Sequence, residues 1–174
     1  MGEITSRNFG ILIAYLLPGF VVLLGLATLS DTVAAWVAGT QTAAPTLGGF
    51  LYVTAGSVAA GMIASAFRWL FVDTVHHATG LKRPEFDDSR LSERLSAIEM
   101  LIEIHYRYYQ FYANMLVALI FTHIVWRWGS RESHIDGIGI DLALLAVDGV
   151  LFAGSRDALG KYYRRVSRVL GDLP

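Results

Sequence analysis

LGGFLYVTAGSVAAGMIASAFRWLFV, residues 47–72, carries one charge, Arg68, and that charge comes close to its end. At 1.5 Å of rise per residue the stretch makes a helix of about 39 Å, longer than the hydrocarbon core of roughly 30 Å that a membrane span must cross. Small residues recur along it at four-residue intervals, as Gly56, Ala60 and Ala64 on one ridge and Ser57, Gly61 and Ser65 on the next. Two adjacent ridges of this kind let another helix approach closely, because association inside a membrane is driven by close contact. The spacing places this stretch at the centre of packing.

Working outward, three more apolar blocks approach the same length, at 9–29, 108–126 and 138–155. The first is free of charge, the third holds only Asn114 and His123 as polar intrusions of note, and the fourth holds Asp141 and Asp148. With 54% hydrophobic and 17% charged residues, the chain is expected to be an all-α bundle of four transmembrane helices. Arg7 ahead of the first block and Val33, Ala34 and Ala35 beyond it imitate an export signal. Its apolar run exceeds a signal core, so it reads as a retained span. Pro18 and Gly19 stand near its middle, where a proline removes a backbone donor and kinks the helix; neighbours must satisfy the carbonyl it frees.

The charges orient the bundle. Residues 30–48 contain Asp31 and no Lys or Arg, whereas Lys82, Arg83, Arg90, Arg94 and Arg107 crowd the segment after the second block. Arg156, Lys161, Arg164, Arg165 and Arg168 fill the tail. Positive residues stay on the cytoplasmic side, so both termini are expected there, with the bacterial inner membrane as the location. A net charge of −1 gives no argument for nucleic acid, and the basic residues beside apolar blocks point to membrane lipid as partner.

After Lys82, Arg83 and Pro84, the run Asp87, Asp88, Ser89 reads as a turn and helix start, with Asp88 or Ser89 as cap. From there Leu91, Leu95, Ile98, Ile102 and His105 continue by steps of three and four into Tyr109, Tyr112, Leu116, Leu119 and His123. One stripe without a phase change predicts a cytoplasmic helix over 90–107 continuous with the third span, about 50 Å in all with about 25 Å projecting. Its seam needs a cover, either the tail or the same seam of another subunit. The tail, 156–174, reads as a basic amphipathic helix that lies on the interface or on the projection. Residues 90–107 and the tail are the surfaces expected to meet a cytoplasmic protein partner.

Asp141 and Asp148 are seven residues apart and share a helical face to within about 20°. A carboxylate facing lipid costs roughly 2.5 kcal/mol or more, so this face must meet protein, water or an ion. Depth matching sets His123 level with Asp141 near the outer boundary and Asn114 level with Asp148 near the midplane. Asn114 and His123 stand about 180° apart around their helix, so one straight face cannot serve both pairs. These four are the candidate path-lining or buried polar residues.

No catalytic, cofactor or metal motif emerges. Glu103 and His105 are two apart rather than three, and His76 and His77 lack the four-residue repeat of a zinc helix. The absence of cysteine excludes disulfides, iron–sulfur clusters and thiol catalysis. The tyrosines of 106–112 and Trp69 read as the inner interfacial belt, with Trp36, Trp126 and Trp128 as the outer one. The expected function is therefore non-enzymatic: a homo-oligomer that forms or gates an ion-conducting path, or else an accessory subunit whose acids only lock helices together. In size and topology the outline resembles small multi-span effectors that permeabilise the inner membrane in bacterial antiviral systems. That resemblance implies a process and assigns no residue.

The charge pattern yields a direct test of topology. A reporter fused after Pro174 and one inserted near Arg83 are expected on the same, cytoplasmic side, with labels near Thr42 and Ser133 on the other. Opposite sides for Arg83 and Pro174 would remove one span, the fourth first.

Overall fold

In a computed structural model the protein is described over residues 3–39, 47–85, 91–129 and 138–171, which are mostly helical with no strand among them. We number the helices α1 (Glu3–Ala27), α2 (Asp31–Gly39), α3 (Leu47–Ala78), α4 (Leu95–Gly129) and α5 (Ile138–Leu170). The last three are long and apolar enough to cross a membrane. Each of α3 and α4 contains a π-helical turn, at Arg68–Asp73 and Ile102–Tyr106.

α1 lies between α3 and α4, and the contact with α3 is backbone on backbone. A Cβ on Gly61 would stand 2.1 Å from the Tyr15 carbonyl oxygen, and one on Gly19 would stand 1.7 Å from that of Ser57. No side chain fits at either place. Ser57, Ala60, Gly61 and Ala64 are buried, while Gly56 is half-buried facing Leu23 and Ser65 is half-buried. The four-residue repeat thus places α3 against α1, and Gly19 supplies the matching gap from the other side.

α1 remains one helix through Pro18, which is fully buried. Having no N–H, Pro18 cannot donate to the carbonyl four residues earlier, that of Ala14. Asn114 of α4 donates its Nδ2 hydrogen to that carbonyl at 2.8 Å. Two further bonds tie the same helices, from Thr122 Oγ1 to the Val21 carbonyl at 2.8 Å and from Gln110 Nε2 to the Tyr15 hydroxyl at 3.0 Å. Asn114, 0% exposed, therefore belongs to the α1–α4 contact, away from Asp148.

α2 folds over the end of this pair: Val37 joins Leu23, Val53 and Ala60 in one apolar cluster, and Trp36 stacks on Tyr52 at 5.4 Å. At the other end, where the basic residues gather, Val72, Tyr109, Ala113, Leu116, Ala158 and Leu159 form a second cluster. We call these the far end and the basic end.

The long helix α4 differs from its expected form in two ways. It begins at Leu95, not near residue 90, because residues 91–94 form turns and Arg94 has a non-helical backbone (φ −114°, ψ 15°). Leu91 and Leu95 are exposed, so the covered seam starts at Ile98. Second, the π turn at Ile102–Tyr106 inserts a residue and rotates the stripe, which changes its phase between Ile102 and Tyr109; His105 is half-buried there. The proposed caps Asp88 and Ser89 lie outside the described residues.

The tail is no separate helix. It continues α5 without interruption to Leu170, since Ser155, Ala158 and Leu159 keep one face buried across the point where charge begins. Val166 and Leu170 then cover Ile98, with Leu101, Ile102, Tyr162 and Val169 around them. Of the two covers expected for the projecting seam, the tail is the one seen. The far half of α5, by contrast, packs on α4 and leaves Leu142, Leu145 and Val150 at 61%, 68% and 71% exposure.

The Pro18 site separates compensation from mere contact. Asn114→Leu is expected to destabilise the parent by about 1 kcal/mol in detergent thermal melts, since it strips the donor from a buried carbonyl. In a Pro18→Ala background, where residue 18 again donates to Ala14, the same substitution is expected to cost close to nothing. Equal costs in both backgrounds would show that the Asn114 bond does not compensate the proline.

Candidate functional sites at the two ends of the bundle

At the far end, α4 and α5 bring polar side chains together along one edge. Asp141, in the first turn of α5, lies 3.2 Å from His123 Nε2, and Arg127 donates its Nε hydrogen to Asp141 Oδ1 at 3.0 Å. Arg127 also donates through Nη2 to Asp141 Oδ2, a two-pronged contact of the kind guanidinium and carboxylate favour. The guanidinium sits 5.6 Å from the Trp126 ring centroid.

None of the three is sealed from the surroundings. The side chains of His123, Arg127 and Asp141 are 25%, 22% and 36% exposed, which places them on an accessible edge. Two helical turns further along α5, about 10 Å by helical rise, Asp148 is half-buried within electrostatic reach of His123. Its Oδ1 has no hydrogen-bond partner among the described residues, and neither has His123 Nδ1. The result is a file, Arg127, Asp141, His123 and Asp148, with ion pairing at one end and unsatisfied atoms at the other.

His123 and Asp141 stand together at the level expected for them, whereas Asn114 and Asp148 do not pair because Asn114 is turned to α1. Arg127 falls just beyond the third apolar block, 108–126, and so drew no role from the sequence. It is in α4, four residues after His123 and so on the same face; that spacing was the signal that could have found it.

The basic end holds a second polar assembly, built on the π turn of α3. Arg68 is only 6% exposed, with its guanidinium carbon 5.0 Å from the Tyr109 ring centroid, and Nε and Nη1 lack hydrogen-bond partners among the described residues. The Tyr109 hydroxyl donates to Asp73 Oδ1. His76, 0% exposed, contacts Ser155 Oγ at 2.9 Å and packs against the Phe152 ring at 4.7 Å between centroids. Ser155 donates to the Phe152 carbonyl at 2.8 Å, which leaves its oxygen to accept from the His76 Nε2–H.

Arg156 closes the end of α3. It donates to the Thr79 carbonyl at 2.8 Å and to Thr79 Oγ1 at 2.5 Å, where the chain leaves the helix through Gly80 at φ +100°. A cation over the last carbonyls of a helix satisfies orphan acceptors and opposes the negative end of its dipole. Sequence reading missed these roles of Arg68, Asp73, His76 and Arg156. Only the charge of Arg68 inside an apolar block hinted at one of them.

A double-mutant cycle measures the far-end pair. Arg127→Gln is expected to lower stability by about 1 kcal/mol or more by stranding Asp141, and Asp141→Asn introduced with it is expected to recover most of that loss. Additive costs in thermal melts would mean that the two charges stand together without depending on each other. Comparison of the chain with protein-family models, with curated proteins and with solved structures found no match, which leaves this geometry as the ground for a functional reading.

Proposed function

We propose that the chain crosses the bacterial inner membrane four times, associates with copies of itself, and forms or gates a path for ions. α1 supplies the fourth crossing: its 25 residues reach about 37 Å and its apolar part packs between two other spans. The basic end is the cytoplasmic end by the distribution of Lys and Arg, which sets both termini there.

The observation that carries the reading is the half-exposed file of His123, Asp141 and Asp148 on the edge of α4 and α5. In a lone protomer that edge would turn ionisable groups toward hydrocarbon at roughly 2.5–3.5 kcal/mol per charge at mid-depth. Association of several copies around the edge removes this cost by enclosing water, and the apolar faces of α5 then meet lipid or the neighbouring copy. Asp148 is the member of the file to act on a passing cation. Asp141 is already paired with Arg127 and lies beside His123, whereas Asp148 has an oxygen that is buried in the single protomer without a hydrogen-bond partner among the described residues and that water or an ion in the path would satisfy. A membrane-permeabilising effector would use such a path, in keeping with the outline that the chain shares with that class.

A second reading draws on the Arg127–Asp141 contact. A paired charge between two helices fixes their register, as an accessory subunit of a larger membrane complex would need. The residues 95–106 and the second half of α5, which already cover each other, would present the outer surface to the partner.

Ion flux in liposomes separates the two. Asp148→Asn is expected to leave insertion and oligomeric size intact and to lower cation flux or cation preference by about tenfold, the change that 1.4 kcal/mol of site energy produces. Asp141→Asn is expected to act more weakly. A purified oligomer with no flux at any voltage or lipid composition would favour the accessory subunit. Flux indifferent to both substitutions would keep the path and discard its lining.

A further inference from the structure

We propose that the basic end binds the headgroup of an aminophospholipid, with its ammonium on Asp73 and its phosphate on Arg83. A pocket of about 380 Å³ opens here between the end of α3, the π turn of α4 and the second half of α5. That volume falls in the range of small-molecule sites and suits a headgroup. Two charged side chains of opposite sign line it, Asp73 and Arg83, a pairing that matches a zwitterion and penalises a ligand with one net charge.

The Asp73 side of the pocket is made for a primary ammonium. Tyr109 occupies Oδ1, which leaves Oδ2 to accept from an incoming N–H. Aromatic rings surround the approach: Trp69, Tyr106, Tyr109, Tyr162 and Tyr163 all line the pocket, with Tyr106 at 5.1 Å from Tyr162 and 5.6 Å from Tyr109 between centroids. Ring faces attract cations, and Arg68 behind Tyr109 shows one such contact already in place. On the other side the exposed Arg83 supplies donors for a phosphate, beside His77 and Tyr163, which hydrogen-bond each other at 3.2 Å.

The surface around the pocket identifies the ligand as a lipid rather than a soluble phosphate. Trp69 and Leu70 line it and are at the same time 68% and 51% exposed, beside Phe71 at 57%. An apolar wall that continues out of a charged pocket suits a molecule with acyl chains attached to its headgroup. Both π turns found among the described residues contribute to the lining, through Trp69, Leu70 and Asp73 from one and Tyr106 from the other. A π turn widens a helix locally and is common at binding sites. The site stands independently of the ion path, since none of its residues belongs to the far-end file.

The test titrates the full-length protein in detergent micelles with short-chain phosphatidylethanolamine, phosphatidylglycerol and phosphatidylcholine, and with soluble phosphoethanolamine, reading thermal shift and tryptophan fluorescence. Phosphatidylethanolamine is expected to bind about tenfold or more tightly than the others, the value of one charge-assisted hydrogen bond. Arg83→Gln, at an exposed position, is expected to weaken all three lipids by a similar factor. Asp73→Asn is expected to weaken phosphatidylethanolamine alone and bring it level with phosphatidylcholine. Should Asp73→Asn fail to fold, the ranking of the lipids on the parent and their common loss in Arg83→Gln decide the matter. Phosphatidylglycerol binding as tightly as phosphatidylethanolamine, phosphoethanolamine matching the lipid, or Arg83→Gln leaving every affinity unchanged would each overturn the proposal.

Discussion

The arrangement of the first three long helices depends on one missing hydrogen bond. Pro18 deprives the Ala14 carbonyl of its helical donor in a place where Ala14 is 1% exposed and water is not at hand. Asn114 supplies the donor from α4 and thereby fixes both the height and the rotation of α4 against α1. One residue further, Gly19 gives α3 the gap it needs to lay Ser57 against the backbone of α1. The two neighbours of α1 are thus positioned from adjacent residues of one helix, one by a polar bond and the other by the absence of a side chain.

With α4 turned so that Asn114 faces α1, the positions half a turn away must face α5. His123 and Arg127 are among them, and they meet Asp141 at the level where α5 begins. The two polar assemblies then differ in burial and so in what they can do. Arg68 and His76 at the basic end are held within protein, where a charge or polar group needs partners to be tolerated and therefore ties helices together. The far-end file is only partly exposed, with His123 Nδ1 and Asp148 Oδ1 buried and without hydrogen-bond partners among the described residues. Groups of this kind are unremarkable on a soluble surface, whereas inside a bilayer they would require either solvent or a neighbour.

How much of this the sequence disclosed follows from the range of each signal. Apolar length and the four-residue repeat of Gly56, Ala60 and Ala64 act over one helix, and the helices and the buried ridge on α3 follow from them. The level of His123 against Asp141 needed only rise per residue and chain direction. Asn114 escaped because its partner is a backbone carbonyl made available by a proline a hundred positions away, although the need for some donor there was legible in Pro18 itself. The π turns escaped for another reason: an extra residue in a helical turn leaves no mark in hydrophobic spacing until the phase on both sides is known. That extra residue shifts the phase between Ile98 and Tyr109, whereas Leu91 and Leu95 fall off the seam because the helix begins only at Leu95. Arg156 looked like the first charge of a separate tail, yet it lies within α5 and its guanidinium reaches Thr79, tying the helix to the end of α3 at that point.

These contacts restrain the two halves of α5 unequally. From Ser155 onward it is bound to α3 through His76 and Thr79 and to α4 through Ile98, so apolar packing and hydrogen bonds act together. Before Ser155 its packing is on α4, its outward residues are exposed, and its strongest polar contact is the one between Arg127 and Asp141. The first half of α5 is thus held by fewer contacts than the second, and the change falls close to Ser155. Asp148 lies in that less constrained half, two turns from Asp141 and two from Ser155. Half-buried and with Oδ1 unsatisfied among the described residues, it is the member of the file whose state depends most on what that half of α5 meets.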